Sequence, residues 1–144
     1  MAATEKDTKM AEWFHPIVDT ESEPFWKGCK EGKLVIKRCK DCSKVYYYPR
    51  RWCPNCWSEN TEWIESKRRG KVYSYSTIHQ NPAQPFASLV PYAVVLVDLD
   101  EGPRMMVNWD FAIPPDKIKC DMPVEIAFRD ISEELALPIA RPAK

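Results

Sequence analysis

Apolar and polar residues alternate in short runs along the second half of the chain, which is the pattern of half-buried β-strands. The runs predict four strands, at residues 72–79, 92–99, 104–109 and 124–128. The second of these is almost continuously apolar, which is typical of a central strand. No helical period separates the runs, and four or five strands in roughly 75 residues predict a small closed barrel.

Three shorter β-prone runs lie at residues 34–39, 45–48 and 62–65, and a cysteine pair stands in each of the two intervals between them. This order of strand, cysteine turn, strand, cysteine turn and strand is the layout of a zinc ribbon. So small a unit has almost no core of its own. We therefore expect a bound metal to supply most of its folding free energy.

Two short helices are predicted ahead of the ribbon. The first covers residues 10–14, and the second begins at a capping box formed by Thr20 and Glu23 and ends before Gly32. Neither helix is long enough to be stable in isolation.

The second helix places Phe25, Trp26 and Cys29 on one face. Because no strand pattern lies nearby, we expect residues 9–31 to form a separate lobe. Part of its aromatic face, including Trp13 or Trp26, would then be available to a partner protein.

Four of the six cysteines form two C-x-x-C pairs, with ten residues between the pairs; they are Cys39, Cys42, Cys53 and Cys56. This spacing is the signature of a four-thiolate tetrahedral metal site. Rubredoxin-type iron sites usually have glycine after each pair, whereas Ser43 and Trp57 stand there in this chain. The sequence therefore favours one structural Zn²⁺ per chain over iron, with no open position for catalysis.

The remaining cysteines, Cys29 and Cys120, stand alone and are interpreted as small buried apolar residues. The first 30 residues are charged and lack the apolar segment of a secretory signal. This favours a reducing, cytoplasmic location, in which a disulfide framework is disfavoured. No apolar run approaches the roughly 20 residues needed to span a bilayer, so no membrane partner is expected.

The 21 basic and 21 acidic residues balance, but they are unevenly distributed. Residues 27–71 carry 13 basic and 5 acidic side chains, a net charge of +8, while residues 1–26 and 72–144 carry −4 each. The middle of the chain is therefore where an anionic ligand would be attracted.

Two basic clusters lie in this middle segment, around Arg50 and Arg51 and around Arg68 and Arg69. They are either solvated turns or an anion site, in which arginines bind phosphate and the flanking Trp52, Tyr73 and Tyr75 provide flat apolar platforms. Such a site would suit a nucleotide, a nucleic acid or the adenosine-phosphate end of coenzyme A.

Catalytic chemistry has little support in the sequence. The two histidines, His15 and His79, are isolated, and neither a nucleophile elbow, a phosphate-binding glycine loop nor a zinc-protease motif is present. No carboxylates are paired in a recognisable acid–base arrangement. The sequence therefore predicts that the chain is not an enzyme.

Several short motifs occur in a recognisable order. They are Phe25-Trp26, Gly32-Lys33-Leu34, the first cysteine pair, Tyr48-Pro49-Arg50, the second cysteine pair, Gly70-x-Val72-Tyr73-Ser74-Tyr75, Pro91-Tyr92-Ala93-Val94 and Met122-x-Val124. In this order the chain resembles the acyl-CoA-associated zinc-ribbon/OB-fold family, long known as a domain of unknown function. The family often has glycine at the positions of Ser43 and Asp121, and aspartate tolerates the left-handed conformation of such a turn.

The resemblance implies a mainly β protein with three parts: short N-terminal helices at residues 1–32, a rubredoxin-like zinc ribbon at 33–66 and a five-stranded OB-fold barrel at 67–144. It also implies a non-catalytic accessory subunit that binds acyl-CoA and partners a thiolase-like enzyme, in some cases together with hydroxymethylglutaryl-CoA synthase. Other members accompany hydratases or aldolases that act on steroid acyl-CoA.

Two alternatives remain open on the residues. Zinc ribbons and OB-folds also bind single-stranded nucleic acid, although strand-binding proteins usually carry a net positive charge, whereas this chain has none. A small iron redox protein is the other alternative, and the residues after the cysteine pairs disfavour it.

Overall fold

The computed structural model describes residues 15–144 and consists mainly of β-strands. Within these residues there is one α-helix, α1, which spans Glu23–Lys30. The strands are β1 (Val35–Cys39), β2 (Val45–Tyr46), β3 (Thr61–Glu65), β4 (Arg69–Ile78), β5 (Tyr92–Leu99), β6 (Arg104–Trp109), β7 (Pro123–Asp130) and β8 (Ala136–Pro142). The predicted helix at residues 10–14, with Trp13, lies outside the described residues.

The strands form two units, as the sequence predicts. Strands β1 to β3 make an antiparallel sheet in the order β2-β1-β3, and β4 to β8 close into a barrel in the order β4-β5-β6-β8-β7. The prediction of a mainly β protein with a five-stranded barrel is confirmed. The sequence pattern did not locate β8, because Pro138 and Pro142 interrupt its apolar run.

Helix α1 is capped differently from the prediction. The reciprocal capping bonds join Asp19 and Ser22: the Ser22 amide donates to Asp19 Oδ1 at 2.7 Å, and the Asp19 amide donates to Ser22 Oγ at 3.1 Å. At the other end, Gly32 has the predicted left-handed φ of 78°, and the Lys33 amide donates to the Gly28 carbonyl at 2.7 Å. The helix therefore ends in a Schellman motif.

For residues 15–31, the described part of the predicted lobe, the expectation of a separate unit is wrong. Phe25 and Cys29 are buried, and α1 packs against β1 of the ribbon and β8 of the barrel. The approach to the ribbon is close, since a Cβ on Gly28 would lie 2.9 Å from Val35 Cγ2. Trp26 packs against the same core and stays half-buried.

A single hydrophobic core joins the helix, the ribbon and the barrel. Leu34 and Ile36 of the ribbon are fully buried in the same cluster as Val95 and Trp109 of the barrel. The end of the ribbon that faces the barrel is therefore part of the barrel's hydrophobic core. The expectation that the ribbon has almost no core holds only for its metal end, where Tyr46 packs beside the cysteines.

The long connection between β4 and β5 packs onto the barrel. Leu89 from this loop and Ile131 from the β7–β8 loop are buried together around Tyr92, and Phe86 and Phe111 flank them. The rings of Phe86 and Tyr92 are 5.6 Å apart, and those of Tyr92 and Phe111 are 5.9 Å apart. The two loops thus share a small apolar cluster at one end of the barrel.

Candidate metal centre and ligand-binding surfaces

The four paired cysteines converge at one end of the ribbon. Their sulfur atoms all lie within 4.8 Å of one another, and the Cys39–Cys56 and Cys42–Cys53 sulfur distances are both 3.6 Å. A tetrahedral site with metal–sulfur bonds of about 2.3 Å has edges of roughly 3.8 Å. The four thiols therefore fit a single metal ion and leave no coordination position for a substrate.

The two cysteine turns have the same backbone geometry. The Ser43 amide donates to the Cys39 carbonyl and the Trp57 amide donates to the Cys53 carbonyl, both at 2.9 Å. Ser43 and Trp57 adopt left-handed φ values of 65° and 63°. Because both residues reach the conformation that glycine favours, the lack of glycine does not distinguish zinc from iron, contrary to the expectation from the sequence.

Hydrogen bonds favour the thiolate form in the first turn. They lower the pKa of Cys42 to about 6, with the Asn55 side chain as the larger contributor and the Lys44 backbone as the next. Thiolates are the form that binds metal. The Asn55 amide also donates to Cys53 Sγ at 3.4 Å.

A polar link that the sequence analysis did not find ties the two turns together. Asp41, between the first two cysteines, accepts hydrogen bonds from Ser58 Oγ and from Asn60 Nδ2, the latter at 2.9 Å. These bonds lower the pKa of the Asp41 carboxyl, with Ser58 as the larger cause. The link restrains the second turn relative to the first independently of the metal.

The structure places the four predicted phosphate-binding arginines at two separate positions. Arg50 and Arg51 precede Cys53 at the metal end, where Arg51 lies 3.5 Å from a Glu59 carboxylate oxygen and stacks over Trp52. Arg68 and Arg69 follow β3 at the barrel end.

Arg68 lies against β7. Its guanidinium is 5.9 Å from the Phe128 ring centroid and donates to the Ile126 carbonyl at 3.4 Å. Strand β3 separates Arg68 and Arg69 from the metal end of the ribbon. The four arginines therefore do not form one cluster.

A β-bulge separates the two predicted tyrosine platforms. The pairing of β4 with β5 shifts register between Val72 and Ser74, so that Tyr75 is aligned with the buried Val95. Tyr73 lies in the bulge, and Arg104 stacks 3.3 Å from its ring centroid. Directly aligned residues share a face, so Tyr73 and Tyr75 belong to different faces of the strand.

Arg104 was not singled out from the sequence. Its guanidinium donates to both oxygens of Asp98, at 2.6 and 3.2 Å, while it covers Tyr73. The Arg104 guanidinium holds the pKa of Asp98 below its usual range. The exposed Tyr73 is thus already stacked on a cation from β6, which lies two strands away in the barrel.

A groove of about 650 Å³ separates the ribbon from the turn between β5 and β6. It is lined by Ser43, Lys44, Val45, Tyr46, Tyr47, Tyr48, Glu101, Gly102, Pro103 and Arg104. Glu101 also fixes the segment that joins the ribbon to the barrel. Its carboxylate accepts from Ser66 Oγ at 2.8 Å and from the Lys67 amide at 2.9 Å.

Two family profiles cover most of the chain. The profile described as "ChsH2, rubredoxin-like zinc ribbon domain" matches residues 26–62, and the profile described as "ChsH2, C-terminal OB-fold domain" matches residues 63–129. The ribbon and barrel seen in the structure correspond to these two regions.

Three similar proteins, named as a scaffold protein, a thiolase subunit and a hydratase subunit, align with most of the chain. It is 37% identical over 112 residues to a "DUF35 domain-containing scaffold protein" of Methanocaldococcus jannaschii, covering 76% of this chain and 77% of that protein. It is 34% identical over 135 residues to "Benzoylsuccinyl-CoA thiolase subunit BbsA" of Geobacter metallireducens, covering 88% and 83%. It is also 37% identical to a "Probable enoyl-CoA hydratase alpha subunit" of Thermomonospora curvata, covering 89% of this chain but only 39% of that protein.

Solved structures show the same architecture. The chain "Ltp2-ChsH2(DUF35) aldolase" superimposes with a TM-score of 0.79 at 36% identity, covering 90% of this chain and all of that one. A DUF35 protein of Sulfolobus solfataricus shares the fold, with a TM-score of 0.58 at 18% identity over 90% of this chain and 91% of that one.

The fold and the cysteine site together define a zinc-ribbon protein fused to an OB-fold barrel. The chain belongs to the DUF35 family, as its motifs predict. Its relatives include scaffold proteins and subunits of acyl-CoA-processing enzymes, which fits an accessory subunit in acyl-CoA metabolism. Within residues 15–144, no helix is long and apolar enough to cross a membrane.

Proposed function

We propose that this chain is a non-catalytic, cytoplasmic accessory subunit that binds acyl-CoA and positions it for a thiolase-like enzyme. The alignment with BbsA carries the proposal, because it spans 83% of a protein that is itself named as a thiolase subunit. The related scaffold proteins align over a similar share of their length. The hydratase relative is much longer than the aligned region, so its activity is not transferred to this chain.

The metal would have a structural role in this function. We propose one Zn²⁺ per chain, bound by Cys39, Cys42, Cys53 and Cys56, because a closed four-thiolate set is typical of structural zinc. The ion would fix the two cysteine turns and thereby the strand β2 that borders the groove. Metal analysis after chelator-free purification should give one zinc per chain, and iron in its place would reassign the metal.

The CoA phosphates would bind to one or both arginine pairs. Guanidinium–phosphate contacts at a surface are attractive but sensitive to salt. Because the structure separates Arg50 and Arg51 from Arg68 and Arg69, replacing each pair with alanine tests the two locations independently. Replacing the pair that binds phosphate should lower the affinity for acetyl-CoA and make that affinity less dependent on ionic strength.

The packing of the barrel loops favours this proposal over single-stranded nucleic-acid binding. OB-folds commonly bind single-stranded nucleic acid on the face of their second and third β-strands. The bound strand lies between two loops, the one joining the first and second β-strands and the one joining the fourth and fifth. Here those loops are residues 79–91 and 131–135, and they pack together around Tyr92. Leu89 and Ile131 fill the space between them, which leaves less room for bases to stack there.

Calorimetry distinguishes the two functions. The chain, alone and co-purified with its enzyme partner, would be titrated with acetyl-CoA, acetoacetyl-CoA and a single-stranded RNA. The proposal predicts binding of the thioesters that weakens as salt increases. Absence of thioester binding in both states would refute it, and tight RNA binding abolished by replacing Arg68 and Arg69 would establish the alternative.

A further inference from the structure

A narrow crevice lies where the helix, the ribbon and the barrel meet. Its volume is about 190 Å³. The lining side chains come from all three parts of the chain and are mainly apolar: Trp26, Tyr47, Met106, Val107, Asn108, Phe111, Arg129, Leu137, Pro138 and Ile139. None of the predicted ligand-binding residues is among them.

The barrel is incompletely paired at this point, which explains the crevice. Strand β6 pairs with β8 only through Asn108 and Trp109, whereas it pairs with β5 along Arg104–Asn108. Pro138 of β8 has no amide hydrogen to donate. The two strands therefore separate beyond Asn108 and leave an opening in the barrel wall.

Two polar side chains that line this apolar crevice, Tyr47 and Asn108, have no side-chain hydrogen bond within residues 15–144. Tyr47 is held in place by its ring contact with Phe25, at 5.7 Å between centroids. Burial raises the pKa of the Tyr47 phenol above its usual range, so the group remains a neutral donor.

We propose that this crevice binds the amide-bearing pantetheine arm of acyl-CoA, with the Tyr47 hydroxyl and the Asn108 amide hydrogen-bonding to it. This inference rests on the proposed function and assigns the arm to residues that neither the motifs nor the relatives' names indicate. An asparagine supplies both a donor and an acceptor, which is the complement of a secondary amide. The apolar wall matches the methylene segments on either side of that amide.

The size of the crevice supports a slender chain as its ligand. Pockets for drug-sized ligands are about 300–1,000 Å³, so a crevice of about 190 Å³ would hold only a segment of the arm, such as one amide with its flanking methylenes. Apolar pockets that contain a few convergent polar groups are typical of ligand sites. The nucleotide end of the ligand would lie outside the crevice.

The test compares three ligands in whichever form of the protein, free or co-purified with its enzyme partner, binds acetyl-CoA. The ligands are acetyl-CoA, acetyl-pantetheine and adenosine 3′,5′-bisphosphate, which lacks the arm. Tyr47→Phe removes only the hydroxyl group. Tyr48→Phe is the matched control, because Tyr48 is 68% exposed and does not line the crevice.

Tyr47→Phe should weaken acetyl-CoA and acetyl-pantetheine binding by about three- to tenfold, the effect of one hydrogen bond, and leave adenosine 3′,5′-bisphosphate binding unchanged. Asn108→Leu should act in the same direction, and Tyr48→Phe should have no effect.

Wild-type affinity for acetyl-CoA in Tyr47→Phe would overturn this inference and leave the proposed function intact. The inference would also be overturned if Tyr47→Phe no longer co-purified with the enzyme partner but still bound acetyl-CoA with wild-type affinity. A peptide of the partner would then occupy the crevice. Failure of the wild-type protein to bind acetyl-CoA in either form would overturn the proposed function as well.

Discussion

Glu101 is the side chain whose removal should most directly loosen the ribbon from the barrel. It lies in the turn between β5 and β6, and its two carboxylate oxygens accept hydrogen bonds from Ser66 Oγ and from the Lys67 amide. Ser66 is 4% exposed, and its own amide donates to the Leu34 carbonyl of the ribbon at 2.8 Å. The substitution Glu101→Ala removes both acceptors from the connecting segment.

The expected loss of stability follows from the exposure of the two donors. A hydrogen bond to a charged group contributes about 1.5–3 kcal/mol when buried. The Lys67 amide belongs to an exposed residue and can bind water instead, whereas water has little access to Ser66. We therefore expect Glu101→Ala to lower the free energy of unfolding by about 2 kcal/mol, and Glu101→Gln, which keeps an acceptor oxygen, by about 1 kcal/mol.

Urea unfolding of the metal-loaded protein, followed by tryptophan fluorescence, measures this change. Hydrogen exchange should also accelerate at the Lys67 amide. Glu133→Ala, in the exposed loop before β8, removes a carboxylate without removing such contacts and serves as the control. A loss below about 0.5 kcal/mol for Glu101→Ala would show that water replaces both bonds and that the shared core alone holds the two units together.

Cys53→Ser should abolish stoichiometric metal binding and expose the metal end of the ribbon, while circular dichroism still reports a folded barrel; cooperative loss of the whole fold would contradict this. Cys29 is buried, and burial raises its pKa to about 12, so iodoacetamide should label exposed Cys120 but not Cys29 in the native protein. Labelling of both at equal rates would refute the packing of α1. Arg104 lowers the pKa of Asp98, so the stabilisation from this pair should be present at neutral pH and decline as pH falls through the folded-state pKa. Acid unfolding of Arg104→Met should lack this component, and an unchanged acid profile would contradict it.

Local patterns were enough to predict the ribbon and most of the barrel. Each C-x-x-C pair specifies its own turn, and alternating apolar residues specify strands such as β5, whose bounds agree with the prediction. The helix stop at Gly32 was also predicted correctly, because it depends on one residue's conformational freedom. In these cases the determining residues are adjacent in the sequence.

The features that were missed depend on residues distant in sequence or on a change of register. One extra residue at Tyr73 moves the following part of β4 onto the opposite face, and no composition signal marks a bulge of this kind. Likewise, Asp41 contacts Ser58 and Asn60 only after the two cysteine turns have met. Alternation along one strand cannot predict either feature.

The shared core also bears on the proposed role as an accessory subunit. The crevice is lined by Trp26 of the helix, Tyr47 of the ribbon and Asn108 of the barrel, so it exists only while all three keep one relative orientation. The buried Leu34 and Ile36 fix that orientation from inside, and the Glu101 contacts fix it at the connecting segment. A flexible pair of domains would have to order itself on each binding event and would lose affinity for that reason. Fusion of the ribbon to the barrel would thus give the proposed ligand crevice a fixed geometry, although the metal site itself is closed to substrate.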